Sequence, residues 1–235
     1  MHAVTGPAPR PDRLVVVAGT GTEIGKTWCA ARIIEHLRAS GVTVGPRKPA
    51  QSFAPAAPPP PDAAVLAGTT GEDPAVVCAP ERSYEVALAP PMAADVLGRP
   101  VPTVAELAAA CLDWPAPEPT LGFAEPGGGA RPPTAADGDG VPLPAALAPD
   151  SILLVADAGL GTINSVRLSI EALASQCPAP VVVLLNRYDP ADDLHERNRA
   201  WLSHREGLDV VTSPADAAAR LRVLRPDDPL RPEHP

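Results

Sequence analysis

Aromatic residues are scarce in this sequence, since only 3% of its 235 residues are Phe, Trp or Tyr. A core with so few rings must be filled by Val, Leu, Ile and Ala. Long hydrophobic runs are missing as well, because no stretch approaches the roughly 20 apolar residues of a membrane-spanning helix. Residues 1–12 are proline-rich and carry no hydrophobic segment of a signal peptide. We therefore expect a cytoplasmic protein with no membrane partner.

Paired cysteines and clustered basic residues are also missing. The chain has four widely separated cysteines and no C-x-x-C pair, which favours neither a zinc site nor a disulfide framework. We expect them to be buried apolar residues. The formal net charge of -9 is spread along the chain, and no run of Lys and Arg supplies the positive surface that phosphate backbones require. A nucleic-acid partner is therefore not expected.

Proline and glycine are abundant, with 33 and 18 copies, and they indicate long, stiff connections. Residues 53–62 and 126–150 hold too many of them to form regular helices throughout. No linker divides the chain evenly, so we predict a single domain over residues 1–235. Its ends, residues 1–12 and 225–235, are expected to be flexible.

Short apolar runs alternate with helix-like segments. The runs lie at 14–18, 42–44, 121–124, 152–156 and 181–185, with a possible sixth at 208–211. Their continuous apolarity indicates strands that are covered on both faces. Helix-like patterns occur at 26–40, 104–112, 163–175 and 193–204. This order predicts a three-layer α/β fold with a mostly parallel sheet, in which ligands bind at the carboxyl ends of the strands.

A glycine-rich loop follows the first predicted strand and opens a helix. It reads Gly19-Thr-Gly-Thr-Glu-Ile-Gly-Lys-Thr27, which is the strand, loop and helix order of a P-loop. The strict pattern places its first glycine where this chain has Thr20. We expect the phosphates of ATP to bind the helix N-terminus, the Lys26 ammonium and the loop backbone, and Thr27 to ligate Mg²⁺. The nucleotide-binding set is Gly21, Thr22, Glu23, Ile24, Gly25, Lys26 and Thr27.

A second motif, Lys48-Pro-Ala-Gln-Ser52, follows the second predicted strand. Together with the loop it resembles the dethiobiotin synthetases, which are P-loop ligases. The resemblance continues, in the family's order, through segments beginning or ending at Asp62, Glu125, Asn164 and Asn186. They read Asp62-Ala-Ala-Val-Leu, Glu125-Pro-Gly-Gly-Gly, Leu160-Gly-Thr-Ile-Asn164 and Asn186-Arg.

The resemblance implies a reaction and a set of site residues. The reaction carboxylates one amine of 7,8-diaminononanoate with CO2, phosphorylates the carbamate with ATP and closes a cyclic urea. Lys48, Lys26 and Thr22 would be catalytic, and Thr27, Asp62 and Glu125 would hold Mg²⁺. Asn186 would contact the nucleotide base. The substrate would be bound by Ser52, Gly161, Thr162, Ile163 and Asn164, the last four serving the neighbouring subunit of a homodimer.

Simpler interpretations of individual residues remain open. Lys48 fits an ordinary surface lysine, Asp62 and Asn164 fit helix caps, and Asn186 fits a strand-ending turn. Phe53 and Pro126 stand where the family usually has glycine, and both changes stiffen or crowd loops of the site. They are compatible with an altered substrate or reduced activity.

Three other functions compete with the ligase. A partition-type or regulatory ATPase usually carries a second lysine early in the loop, and this chain has none there. A cobyrinic-acid type amidoligase is expected to carry an additional glutamine-amidotransferase domain, for which the chain is too short. A nucleotide-binding homologue that has lost catalysis is the third, and it is favoured by Phe53 and Pro126.

Overall fold

The computed structural model describes residues 10–55, 60–115 and 117–224. Two of the predicted features therefore fall partly outside the described residues: the chain ends, apart from residues 10–12, and the proline-rich segment 53–62, of which 56–59 are not described. Within the described part, the strands are β1 (Arg13–Gly19), β2 (Val44–Arg47), β3 (Gln51–Ser52), β4 (Ser83–Tyr84), β5 (Leu121–Ala124), β6 (Ser151–Asp157), β7 (Val181–Asn186) and β8 (Asp209–Val211).

The main sheet has six strands in the order β2-β5-β1-β6-β7-β8, and all its neighbouring strands are parallel. Each of the six predicted apolar runs overlaps one of these strands. The prediction of a strand at 42–44 was shifted, because β2 extends through Pro46 to Arg47. Proline is tolerated there because β2 is an edge strand, where one row of backbone N–H groups has no partner strand.

Helices cover both faces of the sheet. In the described residues they are α1 (Lys26–Ala39), α2 (Asp62–Thr70), α3 (Pro74–Val77), α4 (Pro90–Val96), α5 (Val104–Cys111), α6 (Pro142–Leu147), α7 (Thr162–Ala174), α8 (Asp193–Ala200) and α9 (Pro214–Val223). Short 3₁₀ and π-helical turns occupy Pro80–Arg82 and Trp201–Arg205.

Successive side chains of β1 enter two different hydrophobic clusters. Val15 and Val17 belong to the cluster formed with α1, α2 and α9, whereas Leu14 and Val16 belong to the cluster formed with α4, α5, α6 and α7. This is the period-two alternation of a strand that is buried on both faces. The predicted three-layer α/β fold is confirmed.

All four cysteines are buried and free, as predicted. The segment 126–150, expected not to be helical throughout, contains the single short helix α6. A small second sheet pairs β3 with β4, and it fixes the chain just after Lys48. Among the helices of the described residues, none is long and apolar enough to cross a membrane.

Candidate active site

The predicted site residues lie at one edge of the main sheet. Gly19, Arg47, Ala124 and Asn186 end β1, β2, β5 and β7, and in parallel strands these carboxyl ends point to the same edge. The phosphate loop, Lys48, Glu125 and Arg187 follow these ends directly. The fold therefore brings together motifs that are far apart in the sequence.

The phosphate loop wraps around the start of α1. Gly25 caps this helix in the left-handed conformation, with a φ of 88°, and Glu23 also has a positive φ, of 57°. The Lys26 side chain is buried, and its Nζ donates to the Gly21 carbonyl at 3.2 Å. Burial lowers the pKa of Lys26, and the charge of Glu125 opposes this effect. Thr22 is exposed at the outside of the loop.

Lys48 is buried between two carboxylates. Its Nζ lies 2.8 Å from Oε1 of Glu125 and 2.6 Å from Oδ2 of Asp62. Burial by itself would lower the pKa of Lys48, but the carboxylates of Glu125 and Asp62 raise it above its ordinary value. Burial likewise opposes ionisation of Asp62, yet the Lys48 charge lowers the pKa of this carboxyl. The interpretation of Lys48 as a surface lysine is thus wrong, and its charged form is stabilised.

Asp62 occupies the first position of α2 rather than its cap. The cap residue is Pro61, and no side chain caps this helix. Instead, Gln51 accepts a hydrogen bond from the Ala63 N–H through its Oε1, at 2.9 Å, and donates to Ser83 through its Nε2 at 2.8 Å. Gln51 therefore ties the Lys48 segment to the start of α2 and so positions Asp62. Sequence reasoning did not single out Gln51, because its partners lie in other elements.

The three residues predicted to hold Mg²⁺ meet around Lys48. The Thr27 hydroxyl donates to Oε1 of Glu125 at 2.7 Å, and Glu125 and Asp62 both contact the Lys48 ammonium. The other carboxylate oxygen of Glu125, Oε2, is buried and has no hydrogen-bond partner among the residues that the structure describes. Hard oxygen donors with an orphaned carboxylate oxygen fit a magnesium ion that takes its remaining ligands from phosphate and water. Among the described residues, no group of three or more His, Cys, Asp or Glu side chains lies close enough together to hold a metal ion.

The structure shows the contacts of Pro126 and Phe53, the two residues that depart from the family pattern. Pro126 is buried directly after Glu125, and the carboxylate still points to Lys48 and Thr27. Phe53 is half-buried, and its N–H donates to the Tyr84 carbonyl at 3.0 Å. Further along the glycine run, Gly129 lies against the phosphate loop, since a Cβ there would be 3.4 Å from the Gly21 Cα.

The predicted substrate segment forms the start of α7. Gly161 caps this helix with a φ of 89°, and Thr162 is buried with a hydroxyl that finds no hydrogen-bond partner within the described parts of the chain. Ile163 packs partly against the core, whereas Asn164 is exposed and is not the cap. Ser52, also predicted to bind substrate, lies on β3 and is half-buried.

Asn186 ends β7 beside the phosphate loop. Its Nδ2 donates to the Ile24 carbonyl at 2.8 Å, and the side chain is buried. A Cβ on Gly25 would lie only 2.4 Å from this nitrogen. Asn186 therefore contacts the loop itself and is more than a strand-ending turn residue.

Comparison with known proteins finds dethiobiotin synthetases among the relatives of this chain. No protein-family model matches the chain. The chain is 36% identical to an ATP-dependent dethiobiotin synthetase of Haloferax mediterranei over 90% of its own length and 86% of that protein. It is 34% identical to the enzyme of that name from Anaeromyxobacter dehalogenans, over 90% of the chain and 95% of the relative.

The chain belongs to the dethiobiotin synthetase family. A third relative of the same name, from Caulobacter vibrioides, is 32% identical over 77% of the chain and 82% of that protein. Among solved structures the similarity is more distant. A DUF1611 family protein of Anabaena variabilis has 15% identity and a TM-score of 0.49, with 92% of the chain and 56% of that protein covered. The family resemblance seen in the sequence motifs is thus confirmed by the relatives.

Proposed function

We propose that this protein is a magnesium- and ATP-dependent ligase that makes dethiobiotin from 7,8-diaminononanoate and CO2 in biotin biosynthesis. One amine adds to CO2 and loses a proton, which gives a carbamate. The carbamate oxygen takes the γ-phosphoryl group of ATP and releases ADP. The second amine then attacks the carbamate carbon and loses a proton as phosphate leaves, and a cyclic urea remains.

The observation that carries this proposal is the buried Lys48 ammonium beside the phosphate loop. A carbamate and a γ-phosphate are both anions, so they approach each other only if cations offset their repulsion. Lys48 is held in its charged form by Glu125 and Asp62, and it lies next to Thr27 of the loop. A switch that only binds and hydrolyses nucleotide has no need for a second buried cation at this place.

Each residue of the proposed site then has a separate role. Lys26 and the loop from Gly21 to Thr27 bind the phosphates, with the helix N-terminus of α1 aimed at them. Lys48 orients the carbamate and offsets charge as the phosphoryl group moves. Thr22 is exposed at the loop, and we propose that it contacts the reacting phosphate or the carbamate. Ser52 follows Lys48 on β3 and is proposed to contact the diamine.

Thr27, Asp62 and Glu125 are the residues that we propose hold Mg²⁺. The bound ion would supply charge neutralisation on the phosphate oxygens. The unpartnered Oε2 of Glu125 supports this assignment, because an isolated buried carboxylate oxygen is costly without a ligand. Asn186 keeps an amide oxygen that suits a donor on the nucleotide base.

The start of α7 is proposed to bind the carboxylate of the diamine substrate in the neighbouring subunit of a homodimer. Free N–H groups at a helix N-terminus favour anions. The buried, unpartnered Thr162 hydroxyl adds a donor at the same place. The exposure of Asn164 leaves its amide available to a partner subunit.

The proposal is tested with 7,8-diaminononanoate, bicarbonate and Mg-ATP, followed by mass spectrometry for dethiobiotin. We expect wild-type protein to form it and Lys48→Gln to form it about 10²–10³ times more slowly, since a charge contact made mainly in the transition state is lost. Nucleotide affinity of Lys48→Gln should stay close to that of the wild type, which also shows that the variant is folded.

Lys26→Gln is the matched control, because it removes the other buried lysine of the site. We expect it to lose nucleotide binding itself, as it removes the phosphate cation. Equal ADP release by wild type and Lys48→Gln, or the absence of any diamine-dependent product from wild type, would exclude the ligase and leave a nucleotide-binding protein.

A further inference from the structure

Two consecutive residues at the end of β7 hold two consecutive carbonyls of the phosphate loop. Asn186 donates to the carbonyl of Ile24, and Nη2 of Arg187 donates to the carbonyl of Glu23, both at 2.8 Å. These carbonyls belong to the part of the loop with positive φ, at Glu23 and Gly25. The shape of the loop therefore depends on side chains from outside it.

The same guanidinium reaches a second segment. Nη1 of Arg187 lies 2.8 Å from Oδ2 of Asp157, the last residue of β6. Asp157 stands opposite Asn186 in the sheet, so the ion pair links two neighbouring strand ends. Arg187 itself has a φ of 57°, a conformation that residues other than glycine adopt only when their surroundings hold them there.

From Asp157 the hydrogen bonds continue to the residues before α7. Oδ1 of Asp157 accepts from the Gly159 N–H at 2.9 Å. Burial raises the pKa of Asp157, but this N–H and Arg187 outweigh it, and the net shift is downward, so Asp157 is charged at neutral pH. Nδ2 of Asn198 donates to the carbonyls of Ala158 and Gly159, at 2.9 and 3.0 Å. One network thus runs from the phosphate loop to residues 157–159, and the Thr162 N–H at the start of α7 donates to the Gly159 carbonyl at 3.4 Å.

We propose that Arg187 and Asp157 are positioning residues that couple the phosphate loop to the start of α7, so that nucleotide and diamine bind cooperatively. The coupling to the diamine rests on the proposed function, in which the start of α7 binds the carboxylate of the diamine in the neighbouring subunit, so the coupling would run between the two subunits. Arginine is suited to this role because its planar fork holds two acceptors in fixed directions, whereas a lysine ammonium is a single point charge on a flexible stem. Coupling of this kind is reciprocal, so it is measurable from the nucleotide side.

The test measures the affinity for Mg-ADP by calorimetry, with and without saturating 7,8-diaminononanoate. In wild type we expect the diamine to tighten ADP binding by about fivefold or more, which is the usual lower range of coupling between two sites. In Arg187→Ala, ADP alone should bind more weakly, and the diamine should no longer change its affinity. Asp157→Asn should keep most of the ADP affinity, because the bond from Arg187 to the Glu23 carbonyl remains. It should lose the coupling, because the ion pair between Arg187 and Asp157 is removed.

Arg32→Ala is the matched control, since Arg32 and Glu35 form an equally exposed ion pair on α1 at 2.7 Å. Arg187→Lys keeps the charge and should restore the coupling only in part. If Arg187→Ala matches Arg32→Ala in both ADP affinity and coupling, or if wild type shows no coupling while it makes dethiobiotin, the inference is overturned. A wild type that makes no dethiobiotin refutes the proposed function instead. The ADP affinity of Arg187→Ala then still tests whether Arg187 stabilises the phosphate loop through the Glu23 carbonyl.

Discussion

Gly25 meets two structural demands at once. Its φ of 88° favours glycine, and a Cβ there would lie 2.4 Å from Nδ2 of Asn186. Gly41 has nearly the same φ, of 81°, but nothing lies within 4 Å of the place where its Cβ would be. The two positions therefore separate backbone strain from the contact with Asn186.

We expect Gly41→Ala to lower the free energy of unfolding by about 1–2 kcal/mol through strain alone. Gly25→Ala should lower it further and also weaken nucleotide binding, because Asn186 must move and release the Ile24 carbonyl. Denaturant unfolding and ADP calorimetry on both variants check this. Equal losses of stability, with unchanged ADP affinity in Gly25→Ala, would show that the Asn186 contact is unimportant.

The sequence identified the site residues that follow strands, and the structure explains why. Glu125 follows β5 directly, Lys48 follows β2 and Lys26 ends the loop after β1, so the parallel sheet alone predicts that they meet at one edge. Gln51 and Arg187 act through backbone groups of other elements, at Ala63 and Glu23. No local pattern in the sequence reports such contacts, and their roles required the structure.

At the scale of elements, two glycines leave the space that the Trp114 ring occupies. Gly45 on β2 and Gly122 on β5 are paired in register, and Cβ atoms there would lie 3.0 and 2.9 Å from the ring of Trp114. Arg47 stacks on the same ring, with its guanidinium carbon 4.4 Å from the ring centre, and pairs with Glu72. Trp114 therefore packs against the edge strand that leads into Lys48.

We expect Gly122→Ala to lower the free energy of unfolding by about 1–3 kcal/mol, because the added methyl group would clash with the Trp114 ring. Gly68→Ala is the opposite case, since Gly68 lies inside α2, exposed, with nothing near its Cβ position. Alanine there should raise the free energy by about 0.5–1 kcal/mol through helix propensity. Urea unfolding of both variants checks the signs, and a stabilised Gly122→Ala would contradict the packing described for β5.

Strands were predicted better than helices, for a physical reason. A parallel strand that is covered on both faces must be apolar throughout, and the runs at 14–18, 152–156 and 181–185 show this directly. Several helices that were not predicted, such as α4 and α9, begin with proline. Proline suits the first turn of a helix, yet in a chain so rich in proline it looks like any other loop residue.

At the scale of the whole molecule, the α7 segment that is proposed to bind substrate carries exposed leucines. Leu160, just before α7, is 92% exposed, and Leu168 on α7 is 58% exposed. Asn164 and Leu168 are four residues apart, so they share one face of the helix. A contact that buried Leu168 against a second copy of the chain would therefore also bring Asn164 to that copy, as the proposed role in the neighbouring subunit requires.

We accordingly expect a dimer in light scattering, and we expect Leu168→Glu to be a monomer, because the contact would bury an unpaired charge. This monomer should bind Mg-ADP like the wild type and lose dethiobiotin formation, since the phosphate loop lies within one chain but the proposed substrate site needs a second. Val223→Glu is the matched control, as Val223 is equally exposed, at 58%, on a different helix, and it should remain dimeric and active. A wild-type monomer that makes dethiobiotin, or a monomeric Leu168→Glu with full activity, would show that each chain builds its substrate site alone.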